Sequence, residues 1–298
     1  MNIKNILVGL ISRLAPIINS DKLFLRLRYC AEMGKKLDFD NCRTMNEKLQ
    51  WLKINNRYPE LTDCVDKIKV KKKVAEKIGA EYIVPTLKIW ETAEELTANE
   101  IASLPDKFVI KTNHSGGNSG VVICNDKSRL DIKSTRDKMR RSLHSDIYRH
   151  YREWPYKNVE RKIFAETYLG DNITDYKFFC FNGYVDCVML CLDRDSGDTK
   201  FYFFDQDWNL KRLNVRGKNA PEGFTLPKPE GMDEMFRIAG ILSEGFPYVR
   251  VDLYNVDGKI YFGELTFYPA SGFDANLLPE TDDYFGSLID LELARNEE

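Results

Sequence analysis

The chain has 298 residues, with 44 Lys and Arg against 46 Asp and Glu and a formal net charge of -2 at pH 7. So even a balance gives no long-range field for capturing nucleic acid, so any basic site must be local. A hydrophobic fraction of 43% over this length can build a substantial core, which excludes a disordered chain.

The first eighteen residues, MNIKNILVGLISRLAPII, place a lysine ahead of a short apolar run that Arg13 and Pro16 interrupt. No small-residue cleavage site follows, and the run falls short of the roughly 20 apolar residues a membrane span requires. It reads as an amphipathic helix packed on the body, with weak peripheral membrane association as the second reading. Over residues 21–55 apolar residues recur at helical spacing, among them Met45, Leu49, Leu52 and Ile54, with Thr44 and Asn46 as cap candidates. Residues 1–65 are therefore a helical N-terminal region. Residues 66–79, DKIKVKKKVAEKIG, form a further helix stopped by Gly79, and the extended EYIVPTLKIW follows.

Strand-like runs then cover residues 107–112, 120–124, 161–168, 176–181, 184–192 and 199–204, most of them rich in Phe, Tyr, Val and Ile. Asn182-Gly183 is a two-residue hairpin signal. After a helix over 233–243 come YVRVDLYN and KIYFGELTF, joined through Val256-Asp257-Gly258. The fold class is α+β with antiparallel sheets, and no repeat or flexible linker separates its parts.

The segment FVIKTNHSGGNSGV, residues 108–121, ends a strand on Lys111 and turns back through three glycines. Its backbone N–H groups could approach phosphate oxygens, with a positive charge at the loop's base; the plainer reading is a mobile turn. No Gly-Lys-Ser/Thr follows, so it is not a Walker loop. Among Lys67, Lys69, Lys71, Lys72, Lys73 and Lys77, solvent exposure is the default, but Lys67 and Lys71 stand at i and i+4 on one helix side, where one or two could anchor phosphate. Asp252 and Glu264 sit in apolar strands and need a cation: magnesium, or pairing with Arg250 or Lys259. Glu166, Asp175 and Lys177 are either edge-strand surface or site lining, and Arg194 is a surface arginine unless it clamps a charged intermediate. Seven cysteines without a C-x-x-C pair fit a reducing cytoplasm, and His114, His144 and His150 are too scattered for a local zinc motif.

The segments NEKLQWLK, DKIKVKKKVAEKIGAEYIVP, LPDKFVIKTNHSGG, AETYL, DYKFFCFNG and VRVDLYNVDGKIYFGELTFYPASGF occur in an order and spacing that resembles the TupA-like branch of the ATP-grasp superfamily, over residues 21–291. The resemblance implies an ATP-grasp fold, two α+β subdomains clasping ATP behind the helical region. Residues 66–298 form the core: a linker or pre-ATP-grasp part over 66–105, a flap subdomain over 106–168 and a C-terminal catalytic subdomain over 169–298. It implies that Lys67 and Lys111 contact the phosphates beneath a flap containing His114, Ser115, Gly116 and Gly117. Glu166, Thr167 and Leu169 would take the adenine, and Asp175 the ribose. Lys177 and Arg194 resemble basic positions near the phosphates and the acyl phosphate, with lysine replacing arginine at the first. Asp252 and Glu264 match magnesium ligands for two Mg2+ ions, Thr266 replaces the usual asparagine, and Ser271 and Gly272 face the acyl phosphate.

The implied activity is ATP- and magnesium-dependent joining of a carboxylate to an amine through an acyl phosphate, releasing ADP and phosphate, with Arg194 or Arg250 holding the oxyanion. The setting of the family suggests a uronic-acid carboxylate in a capsule, O-antigen or cell-wall polysaccharide, joined to an amino acid or amine in the cytoplasm. The alternatives are a glycosyltransferase of the same pathway using a sugar nucleotide, and a non-catalytic ATP-binding protein, which the presence of both lysines and both carboxylates disfavours.

Overall fold

A computed structural model describes residues 3–117, 119–171, 173–192 and 199–297. The N-terminal residues are helical because their apolar positions recur at three and four, and the helices over Asp21–Met33 and Met45–Asn55 are capped at their N-termini. α1 (Ile3–Leu14) packs on α2 (Asp21–Met33), whose first turn is capped by the Ser20 hydroxyl and whose last ends on Gly34 at φ 69. α3 (Met45–Asn55) opens on a capping box in which Thr44 and Glu47 satisfy each other's backbone N–H groups. Asn46, the other cap candidate, spends its side chain on Asp274 instead. After α4 (Pro59–Val65), the Asp66 carboxylate accepts the N–H groups of Ile68 and Lys69. α5 (Lys69–Ile78) therefore begins later than the lysine pattern predicts, and Lys67 stands in the turn ahead of it.

The first sheet contains β1 (Thr86–Trp90), β2 (Phe108–Thr112), β3 (Val121–Cys124) and β4 (Ile163–Thr167) in the order β1-β4-β2-β3, all antiparallel. β1 lies in the extended segment after Gly79 and is a full member of this sheet. Between its strands lie α6 (Ala98–Ala102), α7 (Ile132–Leu143) and α8 (Ile147–Tyr151). Trp90, Leu96, Ile101, Phe108, Met139 and Ile163 form the core of this half.

The chain passes to the second sheet after Thr167, and its next strand begins at Thr174. There β5 (Thr174–Phe181), β6 (Tyr184–Leu192), β7 (Lys200–Phe204), β8 (Leu210–Lys211), β9 (Val249–Val256) and β10 (Lys259–Thr266) follow the order β10-β9-β5-β6-β7-β8. Asn182-Gly183 at φ 45 and 85 and Asp257-Gly258 at φ 51 and 83 close two of its hairpins tightly, as the sequence predicts. α9 (Val215–Lys218), α10 (Met232–Ser243) and α11 (Pro279–Leu288) complete this half. α10 covers one face, with the Phe236 ring edge-on to Phe178 at 5.1 Å, and the Phe285 ring of α11 stacks on Phe179 at 5.3 Å from the other side. Phe178, Val251 and Leu253 are fully buried, each worth about 1.5–3 kcal/mol of apolar transfer. Among the described residues, no disulfide joins any of the seven cysteines.

Among the described residues, no helix is long and apolar enough to cross a membrane. α1 does pack on the body as expected, through Ile11 and Ala15 against the cluster of Phe24, Leu25 and Tyr29. Leu7, Leu10, Leu14 and Ile17 nevertheless stay 46–72% exposed.

Candidate active site

Strict alternation on β9 sends Val249, Val251 and Leu253 into the core and Arg250, Asp252 and Tyr254 to the opposite face. On β10 the alternation is interrupted. Phe262 pairs with Leu253 and Glu264 with Asp252, so Gly263 is an extra residue, a bulge. Phe262 is thereby buried with the core while Glu264, two residues on, is turned to the face of Asp252. A Cβ on Gly263 would lie 2.9 Å from the Asp252 carbonyl oxygen, so the bulge requires glycine. On the other side of β9, Lys177 of β5 pairs with Asp252. Lys177, Asp252 and Glu264 thus form a row across three adjacent strands.

The row is electrically balanced. Lys177 Nζ bridges Asp175, at 2.6 Å, and Asp252. Arg250 holds Asp252 through Nε and Nη2, both at 2.7 Å, a fork-on-carboxylate contact. Of the two predicted pairings for these carboxylates, Arg250 is present, whereas Lys259 lies over the Tyr261 ring. Thr266 Oγ1 donates to Glu264 Oε1 at 3.1 Å and accepts from Arg250 at 3.2 Å. Lys67 Nζ stands 3.2 Å from Glu264 Oε2 and donates to the Ser115 carbonyl at 2.7 Å. Burial pushes the Asp252 carboxyl up, against the pull of Arg250 and Lys177. Burial also acts on Glu264, but Lys67, Arg250 and Lys177 outweigh it and hold its pKa at about 2.

The facing wall comes from the first sheet. The Lys67 N–H donates to the Asn113 carbonyl, tying the turn before α5 to the glycine loop between β2 and β3. Gly116 and Gly117 project into open space, whereas a Cβ on Gly120 would collide with the Ser115, Thr112 and Ser142 hydroxyls. Ser115 is buried at the loop's base. His114 is 2% exposed with neither ring nitrogen hydrogen-bonded; burial and nearby Arg161 push its pKa down to about 4. Its imidazole is a packed group beneath the loop, so the backbone is what it offers a phosphate.

Glu166 on β4 is gripped from both sides, by Lys111 and by Lys71 Nζ at 3.0 Å. These two cations overcome burial and lower its pKa, while burial lowers that of Lys71. The lysines at 67 and 71 both turn to the cleft, but to different carboxylates, and Lys72 is 85% exposed. Thr167 ends β4 with its N–H on the Pro85 carbonyl, and Leu169 lies in the crossing to the second sheet. Arg194 lies outside the described residues. Ser271 and Gly272 follow β10 in a turn pressed against α3.

The sequence reading misses the part played by two cleft residues. Lys71 is named there with Lys67 as a phosphate-anchor candidate, but its pairing with Glu166 is not foreseen. Tyr254 lies on the site face of β9 among Asp175, Glu264, Glu166 and Asp252, which with burial drive its phenol well above the ordinary range. Its place two residues after Asp252 is the only signal, and an aromatic in a strand ordinarily reads as core.

Two antiparallel sheets joined by one short crossing, a lysine-based glycine loop on one and a carboxylate row on the other, define an ATP-grasp enzyme, the class of ATP-dependent ligases that form C–N bonds. A family model described as TupA-like ATPgrasp matches residues 47–290, and the chain belongs to that family. Comparison with curated proteins gives no match. Solved structures that resemble it include D-alanine–D-alanine ligase from Bacillus anthracis, 17% identical over 78% of this chain and 67% of that one, TM-score 0.43. The Helicobacter pylori D-alanine–D-alanine ligase is 11% identical over 82% and 68%, TM-score 0.45. ATP-grasp ligase PsnB is 12% identical over 94% and 74%, TM-score 0.43.

Proposed function

We propose that this protein joins the carboxylate of a uronic acid in a surface polysaccharide to an amino acid or other amine, through an acyl phosphate made from ATP. The observation that carries the ligase chemistry is the balanced row: Asp175, Asp252 and Glu264 facing Lys67, Lys177 and Arg250. Such a row can exchange partners at nearly constant charge. The cations pass to phosphate oxygens while Asp252 and Glu264 are freed as hard oxygen ligands. Magnesium fits that donor set, because it is ordinarily held by one or two carboxylates with substrate phosphates completing its shell. When bound there it neutralises phosphate charge as a Lewis acid. Thr266 offers a single hydroxyl beside Glu264, a weak ligand for a second ion.

In this reading the acceptor carboxylate takes the γ-phosphoryl group, ADP leaves, and the amine displaces phosphate to give the amide. Lys67 and Lys111 orient the phosphates, the glycine loop excludes water that would hydrolyse the mixed anhydride, and Arg250 holds the oxyanion. The adenine side falls to Glu166, Thr167 and Leu169, the ribose to Asp175. Membership of an ATP-grasp family leaves the sugar-nucleotide transferase reading without support. The uronic acid, the polysaccharide pathway and a cytoplasmic location rest on the family's setting.

The test is product analysis. ADP and phosphate should form only when a uronate-bearing saccharide and an amine are both supplied; AMP and pyrophosphate would refute the acyl-phosphate route. ADP release with amino-acid carboxylates alone would move the acceptor away from sugars. Attachment of α1 to anionic membrane is the finer part of the proposal, since residues 1–36 carry seven basic and two acidic residues beside the exposed leucines. Co-sedimentation with phosphatidylserine vesicles, lost in Leu10→Ser/Leu14→Ser, would support it; equal sedimentation of both proteins would not.

A further inference from the structure

Asn46, Gln50 and Lys53 stand at i, i+4 and i+7 on α3, one face of the helix, and are 1%, 0% and 0% exposed. Polar side chains at core spacing persist only if their hydrogen bonds are met. Here most of those bonds go to one short segment. Gln50 Nε2 donates to the carbonyls of Ser271 at 3.1 Å and Gly272 at 2.6 Å. Lys53 Nζ donates to the Ser271 carbonyl at 2.8 Å, the Tyr151 carbonyl at 2.9 Å and Gln50 Oε1 at 3.0 Å. Asn46 accepts the Asp274 N–H at 2.8 Å and donates to its carbonyl at 3.2 Å.

The segment so held is one that would not keep its shape alone. Ala270, Ser271 and Gly272 are left-handed in succession, with φ 47, 53 and 65, and the first two have a Cβ that disfavours this region. Glycine at 272 is required twice over, because a Cβ there would lie 2.4 Å from Gln50 Nε2. Glu153, also buried, accepts from the Ser271 hydroxyl at 2.5 Å and faces the charge of Lys53. With the Ser271 carbonyl taken by α3, the planar trans peptide turns the Gly272 N–H away from that helix.

We infer that Asn46, Gln50 and Lys53 are positioning residues: they hold the 270–272 turn in its strained left-handed form and so shape the acyl side of the cleft. The N-terminal helical region is then a working part of the active site. The shape of the turn stands apart from the proposed function; only its kinetic consequence rests on that reading.

Hydrogen exchange of the Ser271, Phe273 and Asp274 amides, each hydrogen-bonded here, reads the turn directly. In Lys53→Met and in Gln50→Ala these amides should exchange at least about tenfold faster than in the wild type. The thermal shift given by ATP with magnesium should be retained, which shows an intact fold. The double variant Lys53→Met/Glu153→Gln separates two roles. If Lys53 positions the turn, removing the Glu153 charge leaves the fast exchange in place; if Lys53 merely neutralises Glu153, protection returns and the inference fails. Unchanged exchange in both single variants also overturns it, and should Lys53→Met not fold, Gln50→Ala alone decides. With glucuronate and an amino-acid mixture as probes, kcat should fall about tenfold or more while KM for ATP stays within about twofold. If the wild type itself releases no ADP with these probes, the proposed function fails and the exchange result stands.

Discussion

Single side chains in this cleft carry charge states that their neighbours impose, and His114 is the clearest case. Its imidazole is 2% exposed and titrates at about 4, against an ordinary 6.5. Between those values the unfolded chain binds the proton and the fold does not, so stability falls as pH drops from 6.5 toward 4. The loss attributable to this group approaches about 3 kcal/mol at the acid end. Urea midpoints across this range should decline for the wild type and decline less for His114→Gln; parallel curves would mean that His114 titrates as it does in water. Glu264 acts in the same direction, in a lower window. Its pKa is depressed to about 2, so its contribution is complete above the ordinary carboxylate range and is lost only as pH falls toward 2.

Elements determine which of these side chains meet, and the bulge on β10 is the decisive one. Without the extra Gly263, the period of two would put Glu264 on the face of Phe262, inside the core. In Gly263→Ala the new methyl meets the Asp252 carbonyl oxygen at 2.9 Å and the Tyr254 ring at 3.3 Å, both next to the row. A stability loss of about 1–3 kcal/mol is expected, with turnover reduced further than the melting temperature would suggest. Full activity in that variant would show that the register of Glu264 is not needed. The sequence reveals strands and hairpins well, because Asn182-Gly183 and Asp257-Gly258 declare their turns and the strands are dense in Phe, Tyr and Val. It does not reveal the bulge, since FGELT is compatible with simple alternation. Nor does it reveal α7, whose buried face is Thr135, Met139 and Ser142, only one of them strongly apolar. Asn46, Gln50 and Lys53 look like the solvated positions of an amphipathic helix. Only the tertiary fold, which brings residues 271–274 against α3, turns them inward.

At the scale of the whole molecule, the two sheets meet across a cleft in which each carboxylate already has a cation. Lys111 and Lys71 are committed to Glu166, and Lys67, Lys177 and Arg250 to the row. Anionic ligand without a divalent ion must take these cations and leave Asp252 and Glu264 uncompensated. The same ligand with magnesium takes the cations and supplies a replacement charge for both carboxylates. Binding is therefore expected to be strongly magnesium-dependent, although net charge gives no hint of it. With ATP and magnesium at a hundred times the dissociation constant, folding gains about 2.7 kcal/mol, a rise of roughly 4 °C in melting temperature for a chain of this length. ATP with a chelator should give much less. Glu264→Gln should keep the small chelator-resistant shift, lose the magnesium-dependent part, and lower turnover about 100-fold or more. Equal shifts with and without magnesium would show that the carboxylate row balances charge in the fold and takes no part in holding the metal.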